Sequence, residues 1–289
     1  MIFYLLIVAV TFLWGMSFPS IKVGLGFIEP FTFLWMRSIL SAVFIFSLIA
    51  IRGGPWKPPV GRPAFWVNTI LHNFLFVFSY HGTIYTTAGR TSVFLYTQPL
   101  IYTALALYFI PGERIGSRAI FGFVAAFGGL LVLFGEKLMG GDDHSLYGDG
   151  LVILAAISWG IQSLYLRQNL KGIDPFRITA WTQLVAFGIF LVLAGIKGFS
   201  FPDLSNPLVS MNVAYNGLVG TGIAMLLWVH LLANYPPSRV SAFMFLCPVF
   251  GVFLSGILLA EPLTAFMLGG AALVAAGIYL VNTDKKRAS

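Results

Sequence analysis

The chain has 289 residues, 58% of them hydrophobic and 9% charged, with a net charge of +7 and a mean hydropathy of +0.89. A soluble domain carries about 25% charged residues, so this composition excludes a water-covered surface and selects lipid as the solvent. The positive balance then reads as Lys and Arg on cytoplasmic loops, not as a nucleic-acid surface.

Backbone groups in lipid are satisfied inside a helix or a closed barrel. Barrel strands alternate polar and apolar residues, whereas the runs over 2–10 and 119–134 are continuously apolar, which selects helices. Charge, Pro and Gly divide the chain into ten expected spans: 2–22, 31–51, 65–88, 91–110, 116–134, 148–168, 176–196, 208–233, 239–259 and 263–282. Each has the length of about 20 residues that a crossing requires.

Span 1 lacks the basic stretch of a cleavable signal peptide and reads as retained. It carries Trp14, Ser17 and Phe18 on one face, one turn before Pro19. Span 2 carries Arg37, the only basic residue well inside a span. A charge there is costly and marks function by default. Two turns from the outer end it can also snorkel or pair structurally, and the structural reading is favoured. Span 3 places Asn73 and Tyr80 on one face, with His72 and His81 nearby, and in span 4 Gln98 and Tyr102 flank Pro99. Span 6 holds Trp159 and Gln162; span 8 holds Asn216, Thr221, Trp228 and His230.

Amides and hydroxyls in lipid face protein or a wet cavity. Trp14, Ser17, Phe18, Asn73, Tyr80, Gln98, Tyr102, Trp159, Gln162, Asn216, Thr221 and Trp228 are therefore the candidate cavity residues. For each one alone, interhelical hydrogen bonding is the competing role. Pro19, Pro99 and Pro248 are candidate hinges, since proline frees backbone groups at depth. His81 and His230 are candidates for proton coupling, against a favoured interfacial role. Gly122, Gly128, Gly129, Gly269, Gly270 and Gly277 are expected to let helices approach closely. The single cysteine, Cys247, allows no intramolecular disulfide and reads as packing.

Twelve Lys and Arg residues fall on one set of alternating loops and on the tail, against four on the other set. The positive-inside rule puts both termini in the cytoplasm.

The two halves repeat. Trp14-Gly15 matches Trp159-Gly160, and Glu29-Pro30-Phe31 matches Asp174-Pro175-Phe176, both at an offset of 145. His81, Arg90, Ser92 and Pro99 match His230, Arg239, Ser241 and Pro248 at 149; Glu113, Gly122 and Gly129 match Glu261, Gly270 and Gly277 at 148. Five spans per copy is an odd number, so the second copy enters the membrane inverted, an arrangement recurrent in secondary transporters. The expected fold is all-α and integral to the membrane. It has a first repeat over 1–135, an outward loop over 136–147, a second repeat over 148–283 and a basic tail over 284–289.

The segments TFLWGMSFPSIKVG, FLWMRSILSA and AGRTSVFLYTQPLIYTALALYFIPGERIGSRAIFGFVAAFGGLLVLFG resemble the EamA-type repeat of the drug/metabolite transporter superfamily. ISWGIQSLYLR and SRVSAFMFLCPVFGVFLSGILLAEPLTAFMLGGAALVAAGIYLV resemble it a second time. The resemblance implies a ten-helix inner-membrane carrier. Spans 1, 3, 4, 6, 8 and 9 would surround a cavity, and spans 2, 5, 7 and 10 would support them from outside.

The favoured function is export of a small neutral or zwitterionic metabolite such as an amino acid, by alternating access. A phosphorylated-sugar or nucleotide-sugar carrier would want several cavity cations. A multidrug extruder or lipid-carrier flippase, and a scaffold without transport, also stay open. No HExxH, GxSxG, P-loop or metal cluster points to an enzyme. The expected partners are a small-molecule substrate and the bilayer, with no cofactor, metal or nucleic acid, in a monomer or homodimer.

Overall fold

The computed structural model of the chain describes residues 2–59, 63–86, 88–135, 143–259 and 264–284. These residues form helices and no strand. In chain order they are α1 (Ile2–Gly24), α2 (Pro30–Ile51), α3 (Pro63–Tyr85), α4 (Ala88–Leu95), α5 (Gln98–Phe109), α6 (Ser117–Leu133), α7 (Asp143–Asn169) and α8 (Pro175–Lys197). There follow α9 (Pro207–Ala214), a π-helical segment (Tyr215–Ile223), α10 (Ala224–Asn234), α11 (Pro237–Phe243), α12 (Leu246–Leu259) and α13 (Ala265–Asn282). Positions 136–142 of the expected outward loop and the tail from 285 lie outside the described residues.

Among the described residues, eight helical stretches are long and apolar enough to cross a membrane. The apolar α6, with 17 residues, is shorter. The 23-residue α3 is not among the eight, and it carries Asn68, Thr69, His72 and Asn73 within two turns.

The repeated Glu29-Pro30-Phe31 and Asp174-Pro175-Phe176 are helix starts. The Glu29 carboxylate accepts from Thr32 N at 2.7 Å and caps α2; Asp174 accepts from Phe176 N at 3.1 Å and caps α8. Proline follows each cap, where its missing N–H costs nothing and its φ suits a first turn. Glu29→Ala is expected to lower stability by about 1 kcal/mol, read as a drop in the thermal unfolding midpoint of the purified protein.

Expected spans 4 and 9 are each broken in two. The interruptions at Tyr96–Thr97 and Met244–Phe245 precede Pro99 and Pro248. A proline ring removes one ladder bond and disfavours helical geometry in the residue before it. Pro19, by contrast, lies inside α1, which continues to Gly24.

Packing follows the repeat. Helix α6 pairs with α13 and α2 with α8, each helix against its counterpart, while α3 packs on α7 and α1 on α12. Four glycines make the α6–α13 crossing. A Cβ on Gly277 would meet Gly122 O and Ala126 N at 2.5 Å, and one on Gly270 would meet Gly129 O at 2.6 Å. Gly128 and Gly269 face open space instead, so they take no part in the close approach expected of them. The repeated Trp-Gly pair follows the same logic. A Cβ on Gly15 would strike Phe250 Cβ at 2.5 Å, and one on Gly160 would strike Ile101 Cγ2 at 2.7 Å. Ile101 and Phe250 are themselves 149 apart, so the two contacts are equivalent.

Candidate functional site

A cavity of about 150 Å³ lies at the centre of the bundle. It is lined from α1 by Trp14, Ser17 and Ile21, from α2 by Arg37, and from α3 by Leu75, Phe76, Ser79 and Tyr80. Leu95 and Tyr96 contribute from the end of α4, Trp159 from α7, and Asn216, Gly220, Thr221 and Met225 from the π segment and α10.

The π segment builds one wall. Its sequence, YNGLVGTGI, contains Gly217, Gly220 and Gly222. A Cβ on Gly217 would meet Leu40 at 2.8 Å and one on Gly222 would meet Phe44 at 3.0 Å, so α2 presses against this stretch. Widened turns of this kind are rare and concentrate at functional sites. The segment is also tied to α1. Trp14 Nε1 donates to Gly220 O at 2.9 Å, and the Tyr215 hydroxyl donates to Leu13 O at 2.7 Å. Asn216 Nδ2 donates to Ser20 Oγ at 2.9 Å, and Ser20 Oγ donates to Asn212 Oδ1 at 2.6 Å.

Three indoles pack together beside the cavity. Ring centroids lie 5.8 Å apart for Trp14–Trp159, 5.6 Å for Trp14–Trp228 and 6.2 Å for Trp159–Trp228, all edge-on or tilted. Such geometry favours aromatic contact over a flat stack. Trp228, 1% exposed, sits behind the other two and does not line the cavity.

Arg37 also lines the cavity, from span 2, which was expected to lie outside as support. Arg37, Leu40 and Phe44 share one face of α2, the face that packs on the π segment. The Arg37 side chain therefore enters the cavity. Its guanidinium carbon lies 4.1 Å from the Phe76 ring centroid and 5.6 Å from that of Tyr80.

Trp14, Ser17, Tyr80, Trp159, Asn216 and Thr221 come together as expected cavity residues. The Phe18 side chain lies outside the described residues. Asn73, Gln98, Tyr102 and Gln162 do not reach the cavity. Asn73 shares a face with Tyr80 but sits seven residues, about 10 Å, farther down α3, where its Nδ2 donates to Thr69 O at 2.8 Å. Gln98 Nε2 donates to Ser163 Oγ at 3.3 Å, and Tyr102 is fully buried.

Gln162 belongs to a separate buried network joining α3, α7 and α8. Its Nε2 donates to Asn68 Oδ1 at 3.3 Å and lies 3.4 Å from His72 Nδ1. Gln183 Nε2 lies 3.2 Å from the other ring nitrogen, and Asn68 Nδ2 donates to Thr182 Oγ1 at 3.4 Å. His81 and His230 are away from the cavity. His81 packs on Tyr85 with ring centroids 5.3 Å apart, and the exposed His230 lies 3.4 Å from Asn234 Nδ2.

Sequence reading missed Phe76, Ser79 and Tyr96 in the wall. The i, i+3, i+4 spacing of Phe76, Ser79 and Tyr80 was an available signal for the first two.

The family model of the EamA-like transporter family matches the chain twice, over residues 1–135 and 146–283. The chain belongs to the EamA-like transporter family. It is thus a multi-pass inner-membrane transporter. An uncharacterized transporter of Bacillus subtilis, YoaV, is 28% identical over 95% of this chain and 94% of its own length. A "probable amino-acid metabolite efflux pump" of Salmonella typhimurium is 27% identical over 94% of this chain and 91% of its own. A crystal structure of a protein 17% identical superposes with a TM-score of 0.84, covering 96% of this chain and 95% of the other. At that identity the likeness establishes the fold alone.

Proposed function

We propose that this EamA-family transporter exports a small zwitterionic metabolite such as an amino acid, by alternating access of two inverted five-span repeats with both termini in the cytoplasm. The observation that carries this reading is the cavity between the two copies, walled by the repeat-equivalent Trp14 and Trp159 and holding one cation, Arg37. A zwitterion suits that wall: the carboxylate end has a guanidinium and the ammonium end has indole faces. A phosphomonoester brings a charge of about −1.5 to −2, which one arginine does not neutralise.

Equivalent contacts at opposite ends support the inversion. Arg90 pairs with Asp149, and Arg239 Nη2 donates to Tyr4 Oη at 3.0 Å. The arginines are 149 apart and their partners 145 apart. Two near-equivalent halves give inward- and outward-open states of similar energy. The Salmonella relative, a probable amino-acid metabolite efflux pump, supports the cargo class and the direction.

Proteoliposomes holding the full chain are expected to show saturable counterflow of at least one labelled amino acid. Trp14→Ala removes one wall and leaves Gly220 O without its indole donor. It is expected to lower counterflow by about tenfold, the scale of one net hydrogen bond plus lost contact. A reconstituted protein that moves no amino acid removes this reading.

A further inference from the structure

The cavity contains a charge without a counter-charge. Arg37 is 5% exposed, and its Nε has no partner. Its Nη1 meets the Tyr80 hydroxyl at 3.5 Å, the far limit of a hydrogen bond. Among the described residues no carboxylate pairs with it. The acid nearest along its helix, Glu29, is about 12 Å away by helical rise and is engaged as the α2 cap.

Other arginines show what a structural role looks like. Arg167 Nη1 donates to Leu232 O at 2.9 Å and to Ala233 O at 2.8 Å. Arg52 and Arg90 hold Asp174 and Asp149. Arg37 alone among these four enters the cavity. A cation kept in low dielectric without a carboxylate is costly, and the Phe76 ring offsets only part of that cost.

We propose that Arg37 is the carboxylate anchor of the cavity, so that the cargo must carry a carboxylate. This deepens the transport reading above and rests on it. The Phe76 ring centroid lies 4.1 Å from the guanidinium carbon. A guanidinium offers parallel N–H donors matched to a carboxylate. The Tyr80 hydroxyl accepts from Arg37 and has its own proton to give the second carboxylate oxygen. Carboxamides and simple amines lack the charge that the site leaves unpaired, so the cavity rejects them.

The test uses the full chain with L-leucine, L-phenylalanine and L-threonine, each beside its carboxamide. Counterflow in proteoliposomes and protection against thermal unfolding are both read. The wild type is expected to favour at least one acid over its amide by about tenfold or more, the scale of one charge-assisted hydrogen bond. Arg37→Gln is expected to bring that ratio close to one. Arg37→Lys keeps the charge without the fork and is expected to leave an intermediate ratio. If Arg37→Gln does not fold, the ratio in Arg37→Lys decides.

A purely structural arginine would weaken acid and amide alike, so an unchanged ratio overturns the anchor. A wild type that prefers amides overturns it too, with transport left standing. Carboxylate-dependent protection without counterflow keeps the anchor and removes the transport reading. No response to any acid overturns both.

Discussion

Gly277→Leu is expected to yield no monodisperse folded protein in detergent, whereas Gly269→Leu behaves as wild type. Lipid is as apolar as a leucine side chain, so helices in a membrane associate through close packing and not through hydrophobic burial. At the α6–α13 crossing that packing is backbone against backbone. A Cβ at 277 would lie 2.5 Å from both Gly122 O and Ala126 N, and these atoms cannot rotate aside. The helices would have to part, and Val281 and Val274 would lose their seats beside Gly122 and Gly129. Overpacking of a well-filled core costs about 1–3 kcal/mol even when side chains can give way, and here backbone must. Gly269 faces open space, so its substitution controls for hydrophobicity and helix propensity. Size-exclusion profiles and unfolding midpoints of both variants check the contrast. A folded Gly277→Leu protein would mean that the crossing tolerates separation.

Much of this architecture is legible in the sequence because membrane helices are punctuated so strongly. Glu29-Pro30 and Asp174-Pro175 announce the starts of α2 and α8, and these lie within one residue of the expected ends. The repeat was readable in part because several matched pairs serve a local geometric need: a cap, a close glycine contact or a helix break. The π segment was not readable. Its glycines look like any small-residue packing stripe until Leu40 and Phe44 are seen against them.

The site was half legible, for a physical reason. A polar residue in a span must find a partner, but the sequence does not say whether that partner is a neighbouring helix or a solute. Asn216 and Gln162 look alike in this respect. One reaches the cavity beside Thr221, and the other is taken up by Asn68 and His72. Arg37 was read as structural, and it lines the cavity. Its helix was expected outside, but the missing side chains at Gly217 and Gly222 bring that helix close enough for a long side chain to enter.

Asp149→Asn is expected to destabilise the protein by about 2 kcal/mol and to loosen one end of the bundle selectively. The Asp149 carboxylate takes Arg90 Nε at 3.1 Å and 3.2 Å, one distance to each oxygen, and accepts from Thr86 Oγ1 at 2.7 Å. The two charged side chains are 11% and 6% exposed. The pair stands near helix ends, where solvent screening trims its worth below that of a fully buried pair. Beside it Gly82 and Gly148 let α3 and α7 meet, so the carboxylate secures a tight contact. At the equivalent position in the other copy stands Tyr4, whose neutral hydroxyl meets Arg239. One latch is ionic and its counterpart is not. If the repeats exchange conformations, the end held by Asp149 costs more to open than the end held by Tyr4. Removing the charge narrows that difference. In a Cys247→Ser background, a cysteine at Ser79 in the cavity wall is expected to react several-fold faster with an impermeant thiol reagent from outside once Asp149→Asn is added. The exchange Arg90→Asp with Asp149→Arg should restore part of both the stability and the protection, because the attraction survives although the geometry changes. Unchanged labelling together with lost stability would make the pair a fastener of the fold alone.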